Sequence, residues 1–334
     1  MKVLFIGGTG NISMSSTRLA VEKGIDLYLL TRGNKSLNAS NSDSELCSEV
    51  NLLTADINDT VKVKSLIADH HFDAVVNWVA FTPEDVKRDY ELFKNKTDQY
   101  IFISSASCYQ KPLSHPVITE STPLANPYWE YSRNKIACED ALMSYYRKDG
   151  FPITIVRPSL TYDTVIPVPI GGWTEYTIVD RIKRGQKIIV HGDGSSLWTI
   201  THASDFAKGF IGLLGHQQAI GHSFHITSDE ILTWNQIYDA VAMAAGREAK
   251  KVFIASETLG TFDPHLRGSL LGDKAVSTIF DNTKIKRFVP EFQATIPFKQ
   301  GIANTLAWFE TDPARMVINP ETNASMDRII YRYN

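Results

Sequence analysis

The first 160 residues alternate short apolar runs with amphipathic stretches of helical length, and that alternation confines the chain to few architectures. The pattern predicts strands at Lys2–Ile6, Asp26–Thr31, Val50–Thr54, Ala74–Trp78, Tyr100–Ser104 and Ile153–Val156. Between them it predicts helices that include Asn11–Lys23, Val61–His70, Pro83–Phe93 and Tyr131–Tyr146. Strands apolar on both faces need helices on both faces of the sheet, so the expected class is α/β with a doubly wound parallel sheet. After Pro158 the texture changes. Residues 163–173 are rich in Pro and Gly and read as a loop, and further helices are predicted near 174–184, 203–214, 234–245 and 298–309. A compositional hinge near residue 160 separates residues 1–160 from a smaller lobe, 161–334, some of whose segments are expected to return to the sheet.

Composition removes several alternatives. With 334 residues, 43% hydrophobic and 21% charged, the chain is neither disordered nor fibrous and can bury a large core. A formal charge of −3 gives no global field for polyanions, so nucleic-acid binding would need a local patch. Three cysteines, Cys47, Cys108 and Cys138, are an odd number without CxxC pairing, which argues against a disulfide framework or a metal site and for a reducing, cytoplasmic compartment. No run approaches the roughly 18 apolar residues of a membrane helix, and the apolar stretch Val3–Ile6 is too short for a signal-peptide core.

Directly after the first expected strand stands Gly7-Gly8-Thr9-Gly10-Asn11-Ile12-Ser13, and a helical pattern follows. Glycines there let a backbone approach a pyrophosphate, and a helix N-terminus offers N–H groups and a positive dipole end to it. The bland reading, glycines serving only a turn, remains open. At the end of the second strand a carboxylate would suit the ribose of NAD and a cation the extra phosphate of NADP. The chain has Arg32 and Lys35 and no acid, which leans to NADP unless the two are merely solvated surface cations. Asp56 after the third strand could meet the adenine end or simply cap a turn.

Tyr131 and Lys135, four residues apart, share one face of the expected helix. A cation held there favours the phenolate, which could exchange a proton with a substrate hydroxyl or carbonyl. Tyr90 and Lys94 have the same spacing. Only Tyr131 is preceded by a strand that ends in hydroxyls, Ser104-Ser105-Ala106-Ser107, at the sheet edge where such folds bind ligands. The Tyr90/Lys94 pair is therefore taken as a helix-face coincidence.

In order and spacing, GGTGNIS, ISSASCY, YSRNK and Val156-Arg157-Pro158-Ser159 resemble the extended short-chain dehydrogenase/reductases of the NAD-dependent epimerase/dehydratase type. The likeness continues through Gly192-Asp193-Gly194, His202 and Asp205 to the helix near Phe298, nearly the whole chain. It implies a Rossmann domain with a smaller C-terminal substrate-binding lobe. It also implies Ser105 as catalytic serine, Tyr131 as acid/base and Lys135 as the residue that binds the nicotinamide ribose and tunes the tyrosine. The implied cofactor contacts are Gly7, Thr9, Gly10, Asn11, Ile12, Arg32, Asp56, Ile57, Ala80, Lys135 and Pro158. A homodimer through the Tyr131 helix is what the resemblance adds about assembly.

Departures from the family narrow the chemistry. The Asp-Glu pair that follows the catalytic hydroxyl in sugar 4,6-dehydratases is replaced here by Ala106 and Ser107, so dehydration by that route is not expected. The Cys of 4-keto-sugar epimerase/reductases is also replaced by Ser107, and Cys108 and Cys138 read as buried fillers. Where UDP-sugar epimerases carry an Arg for the diphosphate, four residues before His202, this chain has Trp198. Trp198 either stacks on a substrate face or belongs to the core, and Trp173 reads as core. Ser107, Trp198 and His202 are the expected substrate contacts, with a structural use of His202 equally open. The short segment between the fourth and fifth strands and the Thr31-Arg32-Gly33 run resemble atypical members, among them the chloroplast stem-loop-binding proteins. The expected function is thus an NAD(P)-dependent oxidoreductase or epimerase acting on a carbonyl or secondary alcohol of a sugar-like small molecule. The alternatives are an RNA-binding protein on the same fold and a cofactor-sensing regulator. The absence of a Lys/Arg run and the intact Ser/Tyr/Lys set weigh against RNA.

Overall fold

The computed structural model describes residues 1–33 and 49–333, so Lys35, Cys47 and the Ser/Asn-rich stretch 36–45 lie outside the described residues. Strands β1 (Lys2–Ile6), β2 (Asp26–Thr31), β3 (Asn51–Thr54), β4 (Ala74–Asn77) and β5 (Tyr100–Ile103) join Ile153–Val156 and Ser223–Phe224 in one sheet. Its order is 223–224, 153–156, β5, β4, β1, β2, β3, and every pairing is parallel. The fold is the doubly wound α/β class the alternation predicts, and the six expected strands agree with it to within one residue at each end.

Successive residues of each strand go to opposite cores, which is why these runs carry no polar face. Val3, Phe5, Leu27, Leu29, Ala74 and Val76 pack beneath Phe206 and Phe210 of the Ala203–Ile211 helix. Leu4, Ile6, Leu30, Val75 and Phe102 face Val86 and Phe93 of the Pro83–Phe93 helix and Leu142 of the Glu130–Asp149 helix. Helix α1 (Ser13–Glu22) buries Ser13, Ser15, Ser16, Thr17 and Ala20, a face of small side chains that lets it lie close to the Ala203–Ile211 helix.

Two local expectations need correction. The helix expected at 61–70 runs Thr60–Leu66, capped by Asp59, whose carboxylate accepts from Lys62 N–H at 3.1 Å. His70 is therefore not a helix end and stacks on Phe72 with ring centroids 5.5 Å apart. Helix α1 starts at Ser13, leaving Asn11 and Ile12 in the turn before it.

The rest of the chain builds a second core around Trp198, Trp234 and Tyr238, beside a parallel pair of strands, Lys187–His191 with Lys250–Ile254. The helix Pro320–Tyr333 and the helical turns between Ser256 and Lys274 have no counterpart in the sequence reading. Among the described residues no helix is long and apolar enough to cross a membrane.

Candidate active site

β1 sits between β2 and β4, so the connections leaving it and β4 wind to opposite sides and open a crevice above the strand ends. The crevice holds about 480 Å³ and is walled by the turns that follow β1 (Gly7 to Gly10), β2 (Thr31 to Gly33), β3 (Ala55 to Asn58) and β4 (Trp78, Val79, Phe81). Gly7 and Gly8 have φ of 97° and 98°, and a Cβ on Gly8 would lie 2.9 Å from Leu29 Cδ2, so no other residue fits that turn. A Cβ on Gly10 would meet only Ser13 Oγ, at 3.4 Å, so its missing side chain keeps the floor of the crevice open. Ser13 Oγ accepts from Gly10 N–H at 2.8 Å and closes the turn. No side chain caps the start of α1, and although Met14 N–H donates to Gly10 O at 2.9 Å, the positive end of the helix faces the crevice that Ser13 lines.

At the far end of the crevice Arg32 and Asp56 are both exposed in the wall, and Asp56 also accepts from Asn58 N–H at 2.9 Å, the capping use. Arg88 forms part of this wall as well, although sequence reasoning gave it no role. Its donors are spent on Asp89 (2.9 and 3.1 Å), Asp85 (2.8 Å) and Asn58 (2.6 Å), so it shapes the site as a matched charge. Asp89 is fully buried, accepts from Tyr100 OH at 2.6 Å and from Asn77, and burial pushes its carboxyl up. The signal for this cluster was in the sequence: an acid between Val86 and Phe93 on the apolar face of a helix.

A second cleft of about 660 Å³ continues from the first and shares Gly10, Ser13, Trp78 and Phe81 with it. Asn11, Ile12, Ser105, Ser107, Tyr131, Lys135 and Pro158 all line it. Tyr131 enters from the first turn of the Glu130–Asp149 helix, whose Ser132, Lys135, Cys138, Glu139 and Leu142 are buried. That helix ends at Gly150 in the left-handed region, φ 69°, with Arg147 and Lys148 in its last turn.

Ser105 caps the 3₁₀ turn Ala106–Cys108, its Oγ accepting from Ser107 N–H at 3.2 Å. A hydroxyl chain runs from Ser132 to Ser107 at 2.7 Å and on to Ser105 at 2.9 Å, and the Ser105 hydroxyl faces the same cleft as the Tyr131 phenol. Burial pushes that phenol well above its ordinary range, and the Ser105 hydroxyl acts the other way. Lys135 Nζ donates to the carbonyls of Ala80 (2.6 Å) and Ile103 (2.8 Å) and lies 5.8 Å from the Tyr131 ring centroid. Burial lowers its ammonium to about 8. Burial is the larger influence on the phenol without a ligand, and two of the three Lys135 donors go to backbone carbonyls. Ala80 is buried and serves through its carbonyl.

Two further anchors escaped the sequence reading. Asn126 is buried, donates to Ser107 O (2.8 Å) and Gly272 O (2.7 Å), and accepts from Tyr128 and Trp129 N–H, fixing the turn before the Tyr131 helix. Glu139 and Arg157 form a buried two-bond ion pair, 2.9 and 2.6 Å, and Glu139 also accepts from Ser104 Oγ at 2.5 Å. They tie the helix to β5 behind the site. Cys108 and Cys138 are buried and free, and burial raises both thiols to about 12.

Of the expected substrate contacts, only Ser107 reaches the cleft. Trp198 is 1% exposed, in the second core. His202 does not line the cleft; its Nδ1 accepts from Ser204 N–H at 3.2 Å and its ring packs edge-on to Tyr162. Trp173 reverses its expectation: it is 47% exposed and lines the cleft opposite the core.

The model of the NAD dependent epimerase/dehydratase family matches residues 3–227. Over 251 residues the chain is 28% identical to the chloroplast stem-loop binding protein of 41 kDa b from Arabidopsis thaliana, covering 73% of this chain and 63%, under two thirds, of that relative. It is 25% identical over 318 residues to a UDP-glucose 4-epimerase from Lactobacillus helveticus, covering 86% of this chain and 90% of the relative. Among solved structures, a UDP-glucuronic acid 4-epimerase from Bacillus cereus in complex with UDP-glucuronic acid and NAD superposes with TM-score 0.74, covering 93% of this chain and 99% of the other, at 18% identity. A likeness at that identity establishes the fold alone.

Proposed function

From membership of the NAD-dependent epimerase/dehydratase family, to which the chain belongs, we propose that it is an NAD(P)-dependent oxidoreductase or epimerase acting on a carbonyl or secondary alcohol of a sugar-like small molecule, with Tyr131 as acid/base. The observation that carries this reading is that Tyr131, Ser105 and Lys135 face one cleft that is continuous with the glycine-walled crevice. The residues present fit an extended anionic dinucleotide. The open floor at Gly10 and the uncapped start of α1 would hold its pyrophosphate, Asp56 and Ile57 its adenine end, and Lys135 and Pro158 the neighbourhood of its nicotinamide. Arg32 in the wall directly after β2, with no acid in the Thr31–Gly33 turn, favours NADP over NAD.

The bound cofactor supplies hydride exchange at the substrate carbon. The chain's own residues manage the proton and the geometry. Tyr131 gives its phenolic proton to a substrate oxygen or takes one from it, and Ser105 holds the same oxygen by hydrogen bond. The Ser132–Ser107–Ser105 chain sets the direction in which Ser105 points. Lys135, fixed by two carbonyls, holds positive charge below the phenol where negative charge develops. Ala106 and Ser107 offer no acid/base pair for water loss, so redox exchange or epimerisation is the reaction rather than 4,6-dehydration.

Absorbance at 340 nm tests the reading: the NADP⁺-loaded protein is mixed with a panel of sugars bearing secondary alcohols and the NADPH-loaded protein with keto sugars, and at least one should change the redox state of the cofactor. Silence across alcohols and ketones alike would overturn it. Calorimetric titration should show tighter binding of NADP than NAD, with the difference lost in Arg32→Ala.

A further inference from the structure

Trp173 is the only non-glycine residue with positive φ among the described residues, at 60°. A bulky side chain adopts the left-handed region rarely, and such strain persists only where the surroundings force it. Here they do. Ile166 and Trp173 exchange two backbone hydrogen bonds, 2.9 and 2.6 Å, and a Cβ on the intervening Gly172 would lie 2.5 Å from Val168 Cγ2 and 2.7 Å from Ile166 O. Gly171 O accepts from Ile178 N–H at 2.7 Å, which ties the hairpin to the following helix.

This strain does not serve packing. The indole it projects is 47% exposed in the wall of the substrate cleft, and among the described residues no other ring stacks on it. Glycine would satisfy the backbone at no cost, as it does at Gly171, φ 70°. The remaining explanation is that the ring itself is used. An exposed indole face presented to a cleft is a platform for the C–H face of a sugar ring.

The charged residues of the same cleft set the charge the ligand carries. Asp263, His265, Asp273 and Lys274 line it, and Lys274 is the one lysine there besides Lys135. That cation is already matched: its Nζ lies 3.1 Å from Asp273 and 5.4 Å from the Trp129 ring centroid. Lys111, which senses the same pair electrostatically, is buried and does not line the cleft. Apart from Lys135, which two carbonyls fix beside Tyr131, a diphosphate would find two carboxylates and no unmatched lysine. An uncharged sugar finds acceptors, and an amino sugar finds acceptors of opposite charge.

Resting on the function proposed above, we propose that the cleft takes an uncharged or amine-bearing sugar without a nucleotide diphosphate, stacked on Trp173. The test is saturation-transfer NMR on the NADP-loaded full-length protein with methyl hexosides, free hexoses and 2-amino-2-deoxyhexoses as probes and UDP-glucose as comparator. At least one free sugar or hexoside should bind, and Trp173→Gly should weaken it by about ten-fold while Trp173→Tyr keeps most of the affinity. Because glycine relieves the strain, Trp173→Gly should melt no lower than wild type and bind NADP within about two-fold. Unchanged sugar affinity in Trp173→Gly overturns the proposal, as does a lower melting temperature, which would mark the indole as structural. UDP-glucose binding more than about ten-fold tighter than every free sugar overturns the substrate class. Failure of wild type to bind any sugar while it binds NADP overturns this inference and leaves the dinucleotide reading standing.

Discussion

Two helices of this protein carry a tyrosine and a lysine four residues apart, and in both the ammonium comes to rest at a similar distance from the ring. Lys94 Nζ is 5.1 Å from the Tyr90 centroid and Lys135 Nζ is 5.8 Å from that of Tyr131. Helical spacing dictates that much and no more. Lys94 has a side chain 40% exposed, pairs with Glu91 at 3.0 Å, and Tyr90 stacks on Tyr145. Lys135 is 2% exposed, is held by two carbonyls, and its tyrosine meets Ser105 in a cleft. The contrast teaches that the motif becomes chemistry through what surrounds it: burial, a hydroxyl partner and an opening to ligand.

The comparison can be broken by parallel substitutions. Tyr131→Phe should lower turnover by about 10³-fold, the scale of a lost general acid/base, whereas Tyr90→Phe should stay within about two-fold in the same steady-state assay. Equal effects would erase the distinction. Lys135→Met should cost about 10²-fold in turnover and weaken NADP binding, while Lys94→Met removes only an exposed ion pair and should change neither, as calorimetry and kinetics together will show.

A subtler difference is thermodynamic. Burial lowers Lys135 to about 8, against roughly 10.4 in an unfolded chain. Between those values the unfolded chain binds more protons, so this group's contribution to stability rises as pH increases and is lost as pH falls through about 8. Urea midpoints at pH 7.5 and pH 10, with cofactor absent, should therefore shift in favour of wild type over Lys135→Met at the higher pH. For Lys94→Met the relative shift should be small and of the opposite sign, because Glu91 raises that exposed ammonium and the contribution is lost as pH rises.

The cofactor half of the site was legible in the sequence because its signals are local. Gly7, Gly8 and Gly10 sit between an apolar run and a helical one. That Ser105, Tyr131 and Lys135 share one cleft was legible through spacing plus the hydroxyl-bearing strand end. The substrate wall was not, because it is assembled from segments far apart in the chain, near 129, 163–173 and 263–274, of which the last lies in short helical turns that no periodicity announces. The two tryptophans show the limit plainly. Trp198 and Trp173 stand in equally ordinary sequence contexts, yet one fills a core and the other is turned outward by a backbone angle that depends on Gly172 and Val168. Asn126 and Glu139 were equally silent, since a buried polar residue declares itself only through its partners.

The central claim is that Tyr131 moves the proton while the dinucleotide site stands independently of it. Single-turnover absorbance at 340 nm, with Tyr131→Phe and wild type each saturated with NADP⁺ and mixed with the sugar that best reduces the wild-type cofactor, tests it most directly. The account predicts a burst in wild type and none on that timescale in Tyr131→Phe, with the dissociation constant for NADP⁺ unchanged within about three-fold. A burst of wild-type rate in Tyr131→Phe would contradict it.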